Sequence, residues 1–195
     1  MDPINIIVAI NLFVSMSANL SGAKKGIKAS LSNVEKRPKT YLQKIPPNVA
    51  AIVFIATILA IFNLGVFSDE IKTGNFEIRV VGLLLFVLFS WAQVFSFKSL
   101  GEFYSQDILI FKKHKLITEG PYSFMRHPQY VSQLLSDLGA GFALMGYIVI
   151  PLVVLIQIPL FILRAKAEDK LLQSHFKESY TDYKKKSGFF IPFLG

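Results

Sequence analysis

The chain has 195 residues, of which 52% are hydrophobic and only 17% charged, with a formal net charge of +8 and no cysteine. A soluble domain carries about 25% charged residues, and here the apolar residues are bunched into blocks, so a soluble protein is excluded. The missing cysteines exclude disulfides and thiolate metal sites, and the basic residues lie in short stretches between apolar blocks rather than in one patch, which argues against nucleic acid and for a membrane protein.

A helix needs about 20 mostly apolar residues to cross a bilayer. The first such run is 4–21, interrupted by Asn5, Asn11 and Asn19. These asparagines fall broadly on one side and favour a helix partner over lipid. The run lacks a basic leader region, so it reads as a span and not as a cleaved signal. The second run is 49–67, opened by Pro46 and Pro47, where proline is tolerated because the first helical amides have no internal partner. The third is 78–97. Residues 98–125 are polar and contain no run long enough to span.

The last apolar block, 130–163, is too long for one span and carries Gly139, Gly141 and Gly146 in its middle. It reads as a helical hairpin turning near Gly146 and Tyr147, with arms of about 16 residues, short for a span. Gln133 and Asp137 stand one turn apart on the first arm and are expected to face protein. Pro151 and Pro159 are expected to kink or start the second arm. After Leu163 the pattern is polar and helical, with Leu171, Leu172, Phe176 and Tyr180 on one face. Lys184, Lys185 and Lys186 then suit an anionic membrane surface.

Orientation follows from the cations. Residues 22–45 hold seven Lys and Arg, residues 98–128 hold five, and the tail from Arg164 holds seven, whereas 68–77 holds only Lys72. Basic stretches face the cytoplasm. Five spans with an outside N-terminus put all three there, with a cytoplasmic C-terminus.

The densest chemistry lies at 120–130, Gly-Pro-Tyr-Ser-Phe-Met-Arg-His-Pro-Gln-Tyr, preceded by His114, Lys115, Leu116 and Ile117. A polar cluster at a membrane edge is costly unless it binds something. His127 alone reads either as an interfacial residue or as a ligand-binding one. Pro128 biases it toward an extended backbone and starts a helix whose first amides can meet an anionic group. Arg164 and Glu168 share a helix face. They read either as a surface ion pair or as two separate ligand contacts, the arginine fork for a carboxylate and the glutamate for a cationic group. His175 reads as interfacial. No metal-ligand spacing, no Gly-x-Ser-x-Gly and no Gly-x-Gly-x-x-Gly is present, so a metal centre, a serine hydrolase and a Rossmann site are all disfavoured.

The ordered set His-x-Leu-Ile-Thr-x-Gly-Pro-Tyr from His114, Arg-His-Pro-x-Tyr from Arg126, then Arg164 and Glu168, resembles the isoprenylcysteine carboxyl methyltransferase family. The resemblance covers 98–192 of a single membrane domain spanning 1–195, and Leu100-Gly101-x-Phe103 resembles the family's segment before its pocket. It implies an all-helical integral membrane fold of five transmembrane helices. It also implies a cytoplasmic cofactor pocket formed by the loop before the last hairpin and the C-terminal helix. The implied activity is methyl transfer from S-adenosylmethionine, without a metal, to the carboxylate of a prenylated cysteine on a lipid-modified small molecule or protein C-terminus. Carried over residue by residue, the cofactor meets His114, Lys115, Leu116, Ile117, Tyr122, His127, Pro128, Gln129, Tyr130 and Glu168, and Arg164 meets the acceptor carboxylate. One departure is that a polar cofactor contact of some members is replaced by apolar residues around Ile108. The alternatives are an amine methyltransferase of the phospholipid type, an oxidoreductase similar to the sterol reductases that uses NADPH, and a membrane protein without catalysis.

Overall fold

The computed structural model describes residues 2–32 and 34–194, with side chains throughout except over 21–32. The expected basic side chains at 24–28 therefore lie outside the described residues. The helices are α1 (Pro3–Ser32), α2 (Ile45–Ile61), the short α3 (Asp69–Gly74), α4 (Phe76–Leu100), α5 (Pro128–Leu144), α6 (Val149–Pro151), α7 (Ile158–Phe176) and α8 (Glu178–Lys186). Two short strands, β1 (Val34–Lys36) and β2 (Ile110–Phe111), pair antiparallel.

Among the described residues, four helical segments are long and apolar enough to cross a membrane: Pro3–Leu20, Tyr41–Ile61, Phe76–Phe103 and Val149–Phe176. The helix α5 is the fifth of the bundle but has only 17 residues, about 25 Å of rise. Ser132, Gln133, Ser136 and Asp137 on it lower its apolar character. The expected turn near Gly146 is found at 145–148, where Met145 takes a left-handed backbone with φ +54°. The second arm is not about 16 residues, as the apolar block suggests, because it runs without interruption into the polar tail as far as Phe176. Leu152–Gln157 within it is a π-helix. Pro159 has no amide hydrogen for the carbonyl one turn before it, and a wider helical register there is a known response. The tail does break, at Lys177 with φ +50°, which turns α8 back so that Leu171 and Tyr180 remain buried.

The packing is inside-out, as in a bilayer. Large side chains such as Phe13, Ile55, Leu84, Leu88, Phe95 and Leu155 stand outward, while Val8, Val53, Phe86, Ala140, Ala143, Val149 and Val153 form the core. Lipid tails are as apolar as leucine, so close helix contact depends on small residues. The tightest crossing is α4 against α5. A Cβ on Gly139 would lie 2.5 Å from the Phe86 amide nitrogen, and one on Gly82 would lie 2.5 Å from that of Ala143. The asparagines of α1 behave as expected where they meet helices. Asn5 donates to the Ile61 carbonyl at 3.0 Å, and Asn11 donates to Ser90 at 2.9 Å and accepts from Trp91 at 3.1 Å.

The charges are sorted by end. At the end holding α3 and the 145–148 turn, Lys72 is 3% exposed and meets Asp69 at 3.2 Å and Asn63 at 2.7 Å. Arg79 is paired there with Asp2 at 2.6 Å. The other end collects 34–43, 101–128 and the tail, tied together by the β1–β2 pair and by Arg164.

Candidate active site

Two cavities lie at this second end and share a wall. The first is lined by Phe103, Ser105, Asp107, Leu109, His114, Lys115, Leu116, Ile117, Tyr122, Arg126, His127, Gln129, Tyr130, Glu168, Tyr180 and Tyr183, among others. Of the ten cofactor residues that the resemblance implies, nine line this one cavity. Pro128 does not line it. Pro128 is buried as the first residue of α5, where its fixed φ and missing N–H suit a helix start. The second cavity, of about 540 Å³, is lined by residues of α1, α2, α4, α5 and α7, including Asn19, Phe54, Gln93, Gln133, Asp137, Phe161 and Arg164. Gln129 and Tyr130 border both.

His114 sits between aromatic rings. It stacks on Phe103 at 5.1 Å and 8° and meets Phe176 edge-on at 5.6 Å. Its Nδ1 accepts from the Phe111 amide at 3.3 Å, so in the neutral ring the proton is on Nε2. Burial pushes its pKa down to about 4, with the nearby His175 acting in the same direction. Burial also holds the Tyr122 hydroxyl well above its usual range.

His127 is buried, and its backbone, with φ −124° and ψ 51°, is not the extended one that Pro128 favours. Asp169 explains the burial. His127 Nε2 lies 2.8 Å from Asp169 Oδ1. A carboxylate cannot donate, so Nε2 carries the hydrogen. Tyr180 donates to the same oxygen, and Arg126 Nε lies 3.3 Å from Oδ2. Nδ1 faces the other way, 3.7 Å from Glu168 Oε2. The ring stacks on Tyr130 at 5.6 Å and 4° and is flanked by Phe189. Arg126 also donates to the Ser187 carbonyl at 2.6 Å, while its amide bonds the Gly188 carbonyl at 2.8 Å. The C-terminal segment is thereby fastened under the cavity.

Arg164 and Glu168 do not form the surface ion pair. Arg164 is 4% exposed. Its Nε donates to the Tyr130 hydroxyl at 3.0 Å, its Nη1 to the Leu42 and Gln43 carbonyls, and its Nη2 to the Gln106 carbonyl. Gln43 continues the tie, donating to the Ile108 carbonyl at 2.7 Å and accepting from the Ile108 amide at 2.9 Å. Ile108 itself is 1% exposed in a small core with Leu42, Ile110 and Leu171. Its apolar character is thus accounted for by packing, and Asp107 and Leu109 on either side face the cavity.

The sequence assigns no site role to Asp169, and it places Tyr180 and Tyr183 only in the part of the tail that carries the resemblance. The signal in the sequence is the adjacency of Arg126 and His127, which calls for an anion once the two are buried. Tyr183 donates to the Tyr122 carbonyl at 2.7 Å, so α8 is fastened to the cavity wall that both residues line.

The chemistry of the first cavity suits a cofactor with an aromatic base and a cationic amino-acid tail. It offers stacked rings, apolar side chains and the Glu168 carboxylate. At about 80 Å³ it is smaller than the several hundred Å³ usual for ligand sites.

Comparison with known proteins gives the same region. The family described as Phospholipid methyltransferase matches residues 78–179. The chain is 28% identical over 134 residues to the protein-S-isoprenylcysteine O-methyltransferase of Saccharomyces cerevisiae, a match covering 68% of this chain and 55% of that one. It is 35% identical over 81 residues to the enzyme of the same name from Tribolium castaneum, covering 42% and 29%. The fold is similar to that of a solved eukaryotic intramembrane Ras methyltransferase, with a TM-score of 0.60 at 23% identity over 77% of this chain and 54% of that one. The chain thus spans about half the length of the yeast relative or less of the others'.

Proposed function

The chain belongs to the phospholipid methyltransferase family, and from that premise we propose that it transfers a methyl group from S-adenosylmethionine to the carboxylate of a lipid-tailed acceptor, with a prenylated cysteine as the best candidate. The observation that carries the reading is the shared wall: a polar, aromatic cavity meets a larger membrane-level cavity at Gln129 and Tyr130. The names of the yeast and Tribolium relatives support the acceptor class.

S-adenosylmethionine supplies a methyl group on a sulfonium, already activated for transfer. The residues around it need only hold, align and exclude water. Glu168 would neutralise the cationic end, and His114 would donate from Nε2. His127 and Tyr130 would form the stacked floor, with Lys115, Leu116, Ile117, Tyr122, Gln129 and the Pro128 helix start completing the cofactor side. Arg164 would meet the acceptor carboxylate across Tyr130. One of its carbonyl contacts would have to be exchanged for that carboxylate, because a two-pronged grip needs two free N–H groups. A carboxylate is ionised at neutral pH, so no general base is required.

In this reading α5 is a fifth crossing, the N-terminus faces outward, and the basic end with both cavities faces the cytoplasm. The paired state of Lys72 and Arg79 at the opposite end supports this sorting. Labelling a cysteine introduced at Ser123 from one side only tests the orientation. The decisive experiment is methyl transfer by the purified full chain to N-acetyl-S-farnesylcysteine, beside phosphatidylethanolamine, with S-adenosylhomocysteine binding measured in parallel. Turnover of the phospholipid alone would replace the acceptor, and absence of cofactor binding would remove the reading.

A further inference from the structure

Residues 188–194 close into a hydrogen-bonded loop. The Phe189 amide donates to the Leu194 carbonyl at 2.8 Å, and the Leu194 amide to the Ile191 carbonyl at 3.1 Å. The Gly188 and Phe193 amides both donate to the Phe124 carbonyl at 3.0 Å. Glycine is required at the closure, because a Cβ on Gly188 would lie 1.8 Å from the Ile191 carbonyl oxygen. This built loop has two unlike sides. On one, Phe189 and Phe190 pack against Tyr130, Leu134, Phe161 and Ala165. Those residues lie within two turns of the α5 start at Pro128 or of Arg164 on α7, so the loop sits at the edge of the apolar spans. On the other, Ile191, Phe193 and Leu194 are all more than half exposed. The last turn of α8, just before the loop, carries Lys184, Lys185 and Lys186, all exposed. Large apolar side chains grouped in water mark an interaction site. At a bilayer surface the same composition is favourable, because apolar groups enter the boundary of headgroups and acyl chains while lysines meet anionic headgroups.

We propose that residues 184–194 are a docking surface for an anionic bilayer, and that this docking tightens the cofactor cavity. Ile191, Phe193 and Leu194 enter the membrane boundary. Lys185 is paired with Asp182 at 2.9 Å, so the headgroup contacts fall to Lys184 and Lys186. The link to the cavity runs through Arg126 and His127. The Arg126 amide donates to the Gly188 carbonyl at 2.8 Å, and its guanidinium to the Ser187 carbonyl at 2.6 Å. The Phe189 ring meets the His127 ring edge-on at 5.2 Å. A bilayer that fixes this loop therefore fixes the side of the cavity formed by His127, and a filled cavity strengthens lipid docking in return. The link rests on the methyltransferase reading; the docking surface stands on the loop alone.

The test places the full chain in nanodiscs of phosphatidylcholine alone or of an equal mixture with phosphatidylglycerol. The chain has no cysteine, so Leu194→Cys carries a single environment-sensitive fluorophore, and lipids brominated on the acyl chain report its insertion by quenching. Quenching is expected to be stronger in the anionic mixture and to fall with added salt. Lys184→Gln combined with Lys186→Gln is expected to return it to the neutral level. S-adenosylhomocysteine affinity of the unlabelled chain, measured by calorimetry, is expected to be at least about fivefold tighter in the anionic discs. Ile191→Ser combined with Phe193→Ser is expected to remove that difference; should this variant fail to fold, the lysine pair and the wild-type comparison decide. Equal quenching in the two discs overturns the proposal, and no quenching in either overturns it in favour of a protein partner. Soluble glycerol phosphate that reproduces the affinity gain in neutral discs overturns the bilayer as the partner. Anionic-dependent quenching with unchanged cofactor affinity sustains the surface and overturns its link to the cavity. Anionic-dependent quenching with no cofactor binding in either disc sustains the surface and removes the methyltransferase reading instead.

Discussion

Arg164 donates from Nε to the Tyr130 hydroxyl at 3.0 Å, and this bond joins Tyr130, which with Gln129 borders both cavities, to the buried cation that lines the larger one. Tyr130 is held from three directions. Its ring stacks on His127 and meets Phe161 edge-on at 5.4 Å, and its hydroxyl fixes the guanidinium plane. A contact that orients Arg164 without touching the cofactor's charged end should affect turnover more than cofactor binding.

Tyr130→Phe keeps the ring and removes the hydroxyl. A hydrogen bond to a charged group contributes about 1.5–3 kcal/mol. The expected outcome is a fall in kcat of about tenfold or more with S-adenosylhomocysteine affinity within about threefold of wild type. Paired turnover and calorimetric binding measurements check it. An equal loss in both would make the Tyr130 hydroxyl a cofactor contact and not an aligner of Arg164.

Asp169→Asn tests the hub beneath His127. Asp169 compensates the buried Arg126 and receives hydrogen bonds from His127 and Tyr180. Leaving a buried cation uncompensated costs on the order of 3 kcal/mol. The variant should unfold at markedly lower temperature, and its cofactor affinity should fall because the His127 ring loses its anchor. Saturating S-adenosylhomocysteine should restore part of the unfolding temperature. Unfolding at the wild-type temperature would mean that carbonyls such as those of Ser187 and Lys184 hold Arg126 without help from the carboxylate.

The membrane class, the turn near Gly146, the helix start at Pro128 and the gathering of His114, Tyr122, His127, Tyr130 and Glu168 were legible because each rests on local pattern or on motif order. Asp169 was not. It adjoins Glu168 in sequence, but neighbouring helix positions point about 100° apart, and only the tertiary position of His127 decides which carboxylate it meets. The carbonyl ties of Arg164 to Leu42 and Gln106 were hidden for a similar reason, since they join segments far apart in the chain. The length of the last helix was misjudged because hydropathy marks where an apolar run ends, not where backbone hydrogen bonding ends.

His114 gives a signed pH dependence. Its folded pKa is lowered to about 4 from the model-peptide value of 6.5. Between these values the unfolded chain binds a proton that the folded chain refuses, so stability is retained above the unfolded value and declines as pH falls toward the folded one. Thermal unfolding followed from about pH 7 to about pH 5 should show a decline that His114→Gln partly flattens. The substitution should also weaken S-adenosylhomocysteine binding. A pH profile identical in the two proteins would mean that the imidazole is not shielded as its stack on Phe103 implies.

Arg164 and Glu168 give the sharpest separation of roles, because their spacing allowed a simple pair and the structure uses them separately. Glu168 faces His127 Nδ1 and the first cavity, whereas Arg164 faces the second. Glu168→Ala should weaken S-adenosylhomocysteine binding by on the order of 1 kcal/mol or more, since it removes a charged partner that is partly buried. Arg164→Ala should leave that affinity nearly intact and abolish transfer to the farnesylated cysteine. It should also lower the unfolding temperature, because the Leu42, Gln43 and Gln106 carbonyls lose their shared donor. Stability loss alone could masquerade as a functional effect, so Arg164→Lys is the control. Lysine restores a charge and some carbonyl contacts but cannot present a planar fork to a carboxylate. Recovery of the unfolding temperature with kcat still reduced at least about tenfold would assign Arg164 to the acceptor. Full recovery of both would assign it to the ties alone, and the acceptor carboxylate would then need another partner on the wall formed by Gln129 and Tyr130.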